Sequence, residues 1–343
     1  MERRIAFPGL GLEFNIKNSF ELFGLEIYWY GVIIALGICF SFLLFYYLAT
    51  KKEQIHPDTA YNATLLVVPI AVIGARFTYV VTSWESYRGK GLMEIINIRN
   101  GGLAIYGAII FGLITILIYN KIKKISPLSM LDALAPAVML GQTIGRWGNF
   151  VNAEAYGWSE GVETLPWRME LDNVIVDGVR MGTAAVHPTF LYESLWNFIG
   201  LAFILFLLYR KKKFNGEIFF AYMGWYGIGR AFIETLRADS LYIFGTLKFS
   251  VVVGIICFIS AVIGEIVLYN RHKAEVNELA EYKSAFESVK IALSNEEDAL
   301  KKEAFGTEAE ETEPDEEEIY DEEVLTEQDL LDSSPEETEE GDL

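Results

Sequence analysis

The chain has 343 residues, 52% of them hydrophobic, with 47 acidic and 28 basic side chains and a net charge of −19. The apolar residues come in blocks of about 20 rather than in amphipathic patterns, which excludes an ordinary soluble domain and points to membrane spans. No basic patch with interleaved aromatics speaks for nucleic acid. Three widely separated histidines, His56, His187 and His272, lack metal-ligand spacing, so neither a metal nor a cofactor is expected.

The first 25 residues carry two arginines but no apolar core of signal-peptide length and no small-residue cleavage site, so no cleaved leader is expected. Phe7-Pro8-Gly9-Leu10-Gly11 through Phe23 reads as a short interfacial segment outside the membrane. Seven apolar blocks follow, near residues 27–49, 60–82, 103–119, 128–145, 189–209, 217–236 and 248–269; the second, fourth and sixth carry internal charged or polar residues. Basic clusters follow the odd-numbered blocks: Lys51-Lys52, Lys121 to Lys124, Arg210 to Lys213, and Arg271-His272-Lys273. Seven spans with the N-terminus outside and the C-terminus inside put all four clusters in the cytoplasm, as the positive-inside bias requires. The two cysteines, Cys39 and Cys257, fall within spans and read as small apolar filler.

The expected fold is therefore an all-α integral membrane protein of seven transmembrane helices over residues 1–273. A small extracytoplasmic head lies at about 150–186, where apolar residues around Asp177-Gly178 suggest a hairpin. Residues 274–343 hold 27 Asp or Glu and 4 Lys, a balance of −23, which leaves +4 for the rest. This cytoplasmic tail is expected to extend the last helix at first and to be disordered from about 304, since it cannot bury enough apolar surface to fold. It reads as a solvated appendage or as a docking tail for a basic partner.

Polar residues at membrane depth are expensive and mark function. Tyr28-Trp29-Tyr30-Gly31 opens the first span as an interfacial anchor or as part of a site. Arg76 in the second span needs a partner, an acid or a lipid headgroup. Gly101-Gly102-Leu103-Ala104-Ile105-Tyr106-Gly107 bends the chain at the third span, with Tyr106 as a polar tip. Asp132 reads as a helix-start residue of the fourth span. That span runs into Gly145-Arg146-Trp147-Gly148-Asn149-Phe150-Val151-Asn152-Ala153-Glu154-Ala155-Tyr156-Gly157. An arginine fork, two amides and a carboxylate at the membrane edge suit an anionic group. His187-Pro188 starts the fifth span. In the sixth, Tyr226, Arg230 and Glu234 share one helix face at i, i+4 and i+8, followed by Arg237 and Asp239. Arg230 and Glu234 either neutralise each other in lipid or line a wet cavity. Two arginines facing one cavity need an anion between them, and a lipid phosphate fits.

Gly145-Arg146-x-Gly148-Asn149-Phe150-x-Asn152-x-Glu154-x-x-Gly157 resembles the signature of the prolipoprotein diacylglyceryl transferases. Trp29-Tyr30-Gly31, Gly101-Gly102, His187-Pro188 with Leu191-Tyr192-Glu193, and Tyr226-Gly227-x-x-Arg230-x-x-x-Glu234-x-x-Arg237 occur in that family's order. The resemblance covers about residues 7–270. It implies a bacterial plasma-membrane enzyme, active toward the extracytoplasmic side and without a cofactor. Such an enzyme moves the diacylglyceryl group of phosphatidylglycerol to the lipobox cysteine of a prolipoprotein. It further implies that Arg146 contacts the lipid headgroup and that Arg230 is a second essential cation. Tyr30, Asn149, Asn152, Glu154, Gly157, Tyr226 and Glu234 fill other matched positions, with Glu154 and Glu234 expected to hold the arginines. Many members have histidine where this chain has Tyr106, and a phenol is a poor base at neutral pH. The base is therefore open among Glu234, Tyr106, His187 and the departing phosphate. A transporter or flippase and a lipid or signal-peptide receptor are the competing classes.

Overall fold

The computed structural model describes residues 2–98, 101–176, 178–238, 242–243 and 247–306. Four strands come first: β1 Glu2–Phe7, β2 Leu12–Lys17, β3 Ser19–Leu22 and β4 Leu25–Tyr28. Helices α1 Trp29–Lys51 and α2 Pro57–Thr82 follow, then two short helices, α3 Trp84–Tyr87 and α4 Leu92–Ile96. Next come α5 Ile105–Lys123 and α6 Pro127–Val151, and the hairpin β5 Met169–Val176 and β6 Val179–Val186. Helices α7 Thr189–Arg210 and α8 Glu217–Leu236, the short strands β7 Tyr242–Ile243 and β8 Leu247–Lys248, and α9 Phe249–Gly306 complete the order.

Six of these helices, α1, α2, α5, α6, α7 and α9, are long and apolar enough to cross a membrane. The sixth expected span exists as the 20-residue helix α8, which stands outside that set. Glu217, Arg230, Glu234 and three glycines dilute its apolar content. Starts follow local chemistry: Pro57 and Pro127 open α2 and α6, where a missing N–H costs nothing. His56 Nδ1 and Ser126 Oγ accept from the amides of Asp58 and Ser129 at 3.3 and 3.5 Å. α6 is the most buried helix and packs against α1, α7 and α8. Gly148 lets the Tyr30 ring of α1 approach; a Cβ there would lie 2.9 Å from the ring. Gly200 and Gly229 make room for two stacked indoles, Trp225 and Trp196, each of which donates its N–H to the other's carbonyl at 3.0 and 3.1 Å.

The all-α expectation needs correction. A four-stranded sheet of order β2-β1-β5-β6 caps one end of the helices, and β1 pairs antiparallel with both β2 and β5. The expected hairpin is present as β5 and β6; Asp177 at its turn lies outside the described residues. The segment expected to be interfacial, Phe7 through Phe23, forms the end of β1, β2 of this sheet, and β3, which pairs with β4 in a separate two-stranded sheet. Its Pro-Gly-Leu stretch forms the turn between β1 and β2, and Gly11 takes the left-handed conformation that closes it. Ile5, Phe7, Met169, Leu171, Val174 and Val186 form the head's core, which packs on Phe150 at the end of α6 and Phe190 at the start of α7.

Two buried charges find partners other than those expected. Among the described residues the hydrogen-bond partners of Arg76 are backbone carbonyls rather than an acid. Its guanidinium donates to the carbonyls of Glu94, Ile95, Gly101 and Gly102 at 2.7–3.0 Å, tying α4 and the loop before α5 to α2. Asp132, fully buried, does not start its own helix. Its carboxylate accepts from the amides of Gly216 and Phe219 at 2.7 and 2.9 Å and so caps α8. Lys212 pairs with Asp132 at 2.9 Å and with Glu53 at 2.5 Å. Burial pushes the Glu53 carboxyl up from its usual range, and Lys212 opposes that shift.

The first unit of the chain ends at Asn277. The described part of the second, from Glu278, is the exposed remainder of α9. The expected disordered tract falls mainly on residues 307–343, outside the described residues.

Candidate active site

Three helices, α6, α7 and α8, bring charged side chains together at the head end of the first unit. Arg146 sits in the last turns of α6, because Gly145 and Gly148 keep that face narrow against α1. Its Nη2 lies 2.5 Å from Glu193 Oε2, one turn into α7. The same carboxylate oxygen lies 3.2 Å from Arg230 Nη1 on α8. Arg230 Nη2 is 2.9 Å from Glu234 Oε2, one turn further along α8, and donates to Ser250 Oγ of α9 at 3.2 Å. Arg237 completes the group, 4.0 Å from Glu193 Oε1 and 3.9 Å from Glu234 Oε2. Tyr106 of α5 reaches Ser250 Oγ at 3.5 Å, and its ring stands edge-on to Phe249.

These groups are largely withdrawn from solvent: Glu193 and Glu234 side chains are 9% and 3% exposed, the three arginines 13–23%. Among the described residues of the cluster, three guanidiniums face two carboxylates, an excess of one positive charge. Buried charges of this kind persist only when paired or when an ionic ligand completes them. Glu193 occupies the position expected of an anion between Arg146 and Arg230. The two arginines meet at one carboxylate oxygen, so the chain itself supplies an anion between them.

A second arm leaves Arg146 toward the head. Arg146 Nη1 donates to Asn149 Oδ1 at 3.3 Å, and the amides of Asn149 and Asn152 both donate to Glu154 Oε1, at 3.1 and 3.3 Å. Glu154 is held between Ala153 and Ala155, both with positive φ, a conformation that costs a residue with a Cβ about 1–3 kcal/mol. Arg3 of β1 donates to the Asn152 carbonyl, and Thr189 of α7 to the Ala155 carbonyl. The head thus braces the loop in a shape that its own residues disfavour. The Tyr30 ring lies against Gly148 beside this arm, and the Tyr226 ring stacks on Tyr222 one turn before Arg230.

Two of the sequence-predicted residues have other partners. Gly157 pairs through its backbone with His187 and bridges to Arg237. A Cβ there would lie 2.8 Å from the Leu236 carbonyl oxygen, so this glycine permits the loop, the head and the end of α8 to be stitched together. His187 Nε2 lies 2.8 Å from Ser159 Oγ and Nδ1 3.3 Å from Tyr192 OH, which accepts from Trp167 Nε1 at 2.8 Å. Burial pushes the His187 imidazole below its ordinary value. No contact joins it to the arginine cluster among the described residues.

Ser250 and Lys248 are absent from the sequence-predicted set, and Glu193 and Arg237 appear there only within motifs, with no role of their own at the site. Glu193 carried a readable signal, a carboxylate one turn inside an apolar span, where it must have a cationic partner. Lys248 donates to the carbonyls of Glu234, Thr235 and Arg237 at 2.8–3.0 Å, closing the C-terminal end of α8 as a cation should. Nothing local in the sequence marks it.

A family model described as prolipoprotein diacylglyceryl transferase matches residues 17–267, a stretch that contains the whole charged cluster. A Finegoldia magna protein named phosphatidylglycerol–prolipoprotein diacylglyceryl transferase is 46% identical over 250 residues, covering 73% of this chain and 94% of its own length. Proteins of the same name from Clostridioides difficile and a Clostridium botulinum strain are 41% and 42% identical over 262 and 257 residues. Those alignments cover 76% and 75% of this chain and 99% and 97% of the relatives. The chain belongs to the prolipoprotein diacylglyceryl transferase family.

Proposed function

We propose that the chain transfers the diacylglyceryl group of phosphatidylglycerol to the lipobox cysteine of a prolipoprotein, the first step of bacterial lipoprotein maturation. Seven spans with the N-terminus outside, formed by residues 1–273, put the charged cluster and its sheet on the extracytoplasmic face of the plasma membrane and the acidic tail in the cytoplasm. The observation that carries this reading is the convergence of three guanidiniums on two withdrawn carboxylates, set beside a braced amide-rich loop at the end of apolar helices.

The thiol sulfur attacks the glycerol carbon that bears the phosphate. The C–S bond forms as the C–O bond breaks, and the electron pair leaves with glycerol 1-phosphate. Negative charge therefore moves from sulfur to the phosphate ester. Fixed guanidiniums in a poorly solvated site stabilise that charge without reorganising as it moves. Arg146 and Arg230 flank the phosphate, with Glu193 and Glu234 orienting them. Asn149, Asn152 and Glu154 hold the headgroup side, with Tyr30 and Tyr226 on its flanks. Tyr106 acts through Ser250 and orients groups by hydrogen bonding. The thiol proton leaves toward a carboxylate of the cluster or the departing phosphate.

The test is purified protein with phosphatidylglycerol and a lipobox peptide. A peptide mass gain equal to diacylglycerol less one water, with glycerol 1-phosphate released one for one, is the expected result. Lipid movement or peptide binding without that mass gain indicates a flippase or a receptor and overturns the reading.

A further inference from the structure

Helix α9 runs well beyond the apolar segment expected to cross the membrane, and every residue from 273 to 302 is exposed. This extension lies past residue 267, where the family match ends. Most of its large apolar residues fall on one stripe, with Val276 and Ile291 off it. Leu279, Phe286, Leu293 and Leu300 recur every seven residues, and Tyr282 and Val289 fall three after the first two. That alternation of three and four is the spacing of a coiled-coil seam. The seam residues are 54–68% exposed, so among the described residues nothing covers them.

We propose that this seam pairs with the same seam of a second copy of the chain, forming a parallel two-stranded coiled coil over about residues 276–295. Two copies inserted in the same direction leave the membrane at the same residue, so their extensions start parallel and in register. In that register Glu278 of one copy stands opposite Lys283 of the other, in the flanking positions where opposite charges set pairing. The next flanking positions, Ala285 and Ala292, are small and meet Lys290 and Glu297 without like-charge conflict. Membrane anchoring raises the effective concentration of one seam for the other, which a seam of little more than two heptads needs.

The charge pattern also argues against a membrane-surface role and says where pairing stops. Residues 274–302 hold 7 acidic side chains and 4 lysines, and residues 303–343 hold 20 acidic side chains and no base. An acidic helix is repelled by an anionic leaflet. Glu296 then falls at a seam position and would face its own copy, so the strands separate beyond Leu293.

The experiment is a cysteine scan of the full chain in native membranes, in a Cys39→Ala, Cys257→Ala background, with mild oxidation. Single cysteines at 279, 282, 286, 289 and 293 are expected to give a crosslinked dimer; those at 281, 284, 288 and 291 and beyond 296 are not. Phe286→Asp is expected to abolish the crosslink at 282. Uniform crosslinking along the helix, none at any position, or adducts with a mass other than twice the chain at the seam positions overturns the proposal.

Discussion

Arg146 Nη2 and Glu193 Oε2, 47 residues apart in sequence, meet at 2.5 Å between α6 and α7, and the same oxygen also holds Arg230. One carboxylate thus sits where a phosphate is expected. Glu193→Gln keeps the side chain's size and removes its charge. Removing one partner of a buried ion pair costs roughly 3–5 kcal/mol, so the purified variant is expected to unfold at a lower temperature than the parent. Phosphatidylglycerol should then raise its midpoint more than the parent's, because the arginines left without this carboxylate's charge favour the lipid phosphate. Equal lipid-induced shifts in the two proteins would show that Glu193 does not hold the phosphate's position.

The arginines differ from their surroundings in being irreplaceable by charge alone. Arg230 makes three contacts with a planar fork, to Glu193, Glu234 and Ser250, which a lysine ammonium cannot reproduce. Arg146→Ala and Arg230→Lys are each expected to reduce thioether formation by about 100-fold or more, the scale of losing one preorganised donor to a developing charge. Both proteins should still insert. Near-normal lipidation of the peptide by either variant sinks the two-arginine mechanism.

His187 is held by Ser159 and Tyr192, and its buried ring favours the neutral form. As pH falls through about 6.5 the unfolded chain takes up a proton before the folded one does. The stability that neutral His187 contributes is complete above that pH and is lost as pH falls toward the lowered folded value. His187→Gln should therefore be less stable than the parent at pH 7.5, with a gap that narrows by pH 5.5. Unfolding midpoints measured across that range decide it; a gap that widens toward acid contradicts the assignment.

Gly229 faces the Trp196 ring so closely that a Cβ would overlap it, and that ring is held by stacking on Trp225 and by donating to the Trp225 carbonyl. Gly229→Ala is expected to lower stability by about 1–3 kcal/mol through overpacking, despite alanine's better helix propensity. Because Arg230 is the next residue, activity should fall with stability. A variant as stable as the parent in thermal unfolding would mean that α7 and α8 pack less tightly than this indole pair indicates.

Helix positions were legible to within a few residues, since a span's length and apolarity are set by the bilayer and written in consecutive residues. So was the shared face of Arg230 and Glu234, because helical spacing is itself a sequence property. Contacts between distant segments were not. Nothing near Arg76 announces that its partners are four backbone carbonyls, and nothing near Asp132 announces that it caps another helix. The apolar run at residues 5–12 reads equally as an interfacial segment or a hairpin until β5 is present to pair with β1. His187 shares a motif with Glu193, yet only Glu193 reaches the arginines, because helix α7 turns between them.

The sequence by itself determined that this protein is built of membrane helices, that its costly polar residues gather in a few short motifs, and which family those motifs belong to. Hydrophobic length, helical period and motif spacing are local quantities, so they survive without a fold. Only the tertiary structure decided that Glu193 joins Arg146 to Arg230, that Gly157 serves as a stitch, and that the amino-terminal strands complete the head bracing the Glu154 loop. Ion pairing and strand pairing depend on which side chains arrive within a few ångströms of one another, and that is a property of packing.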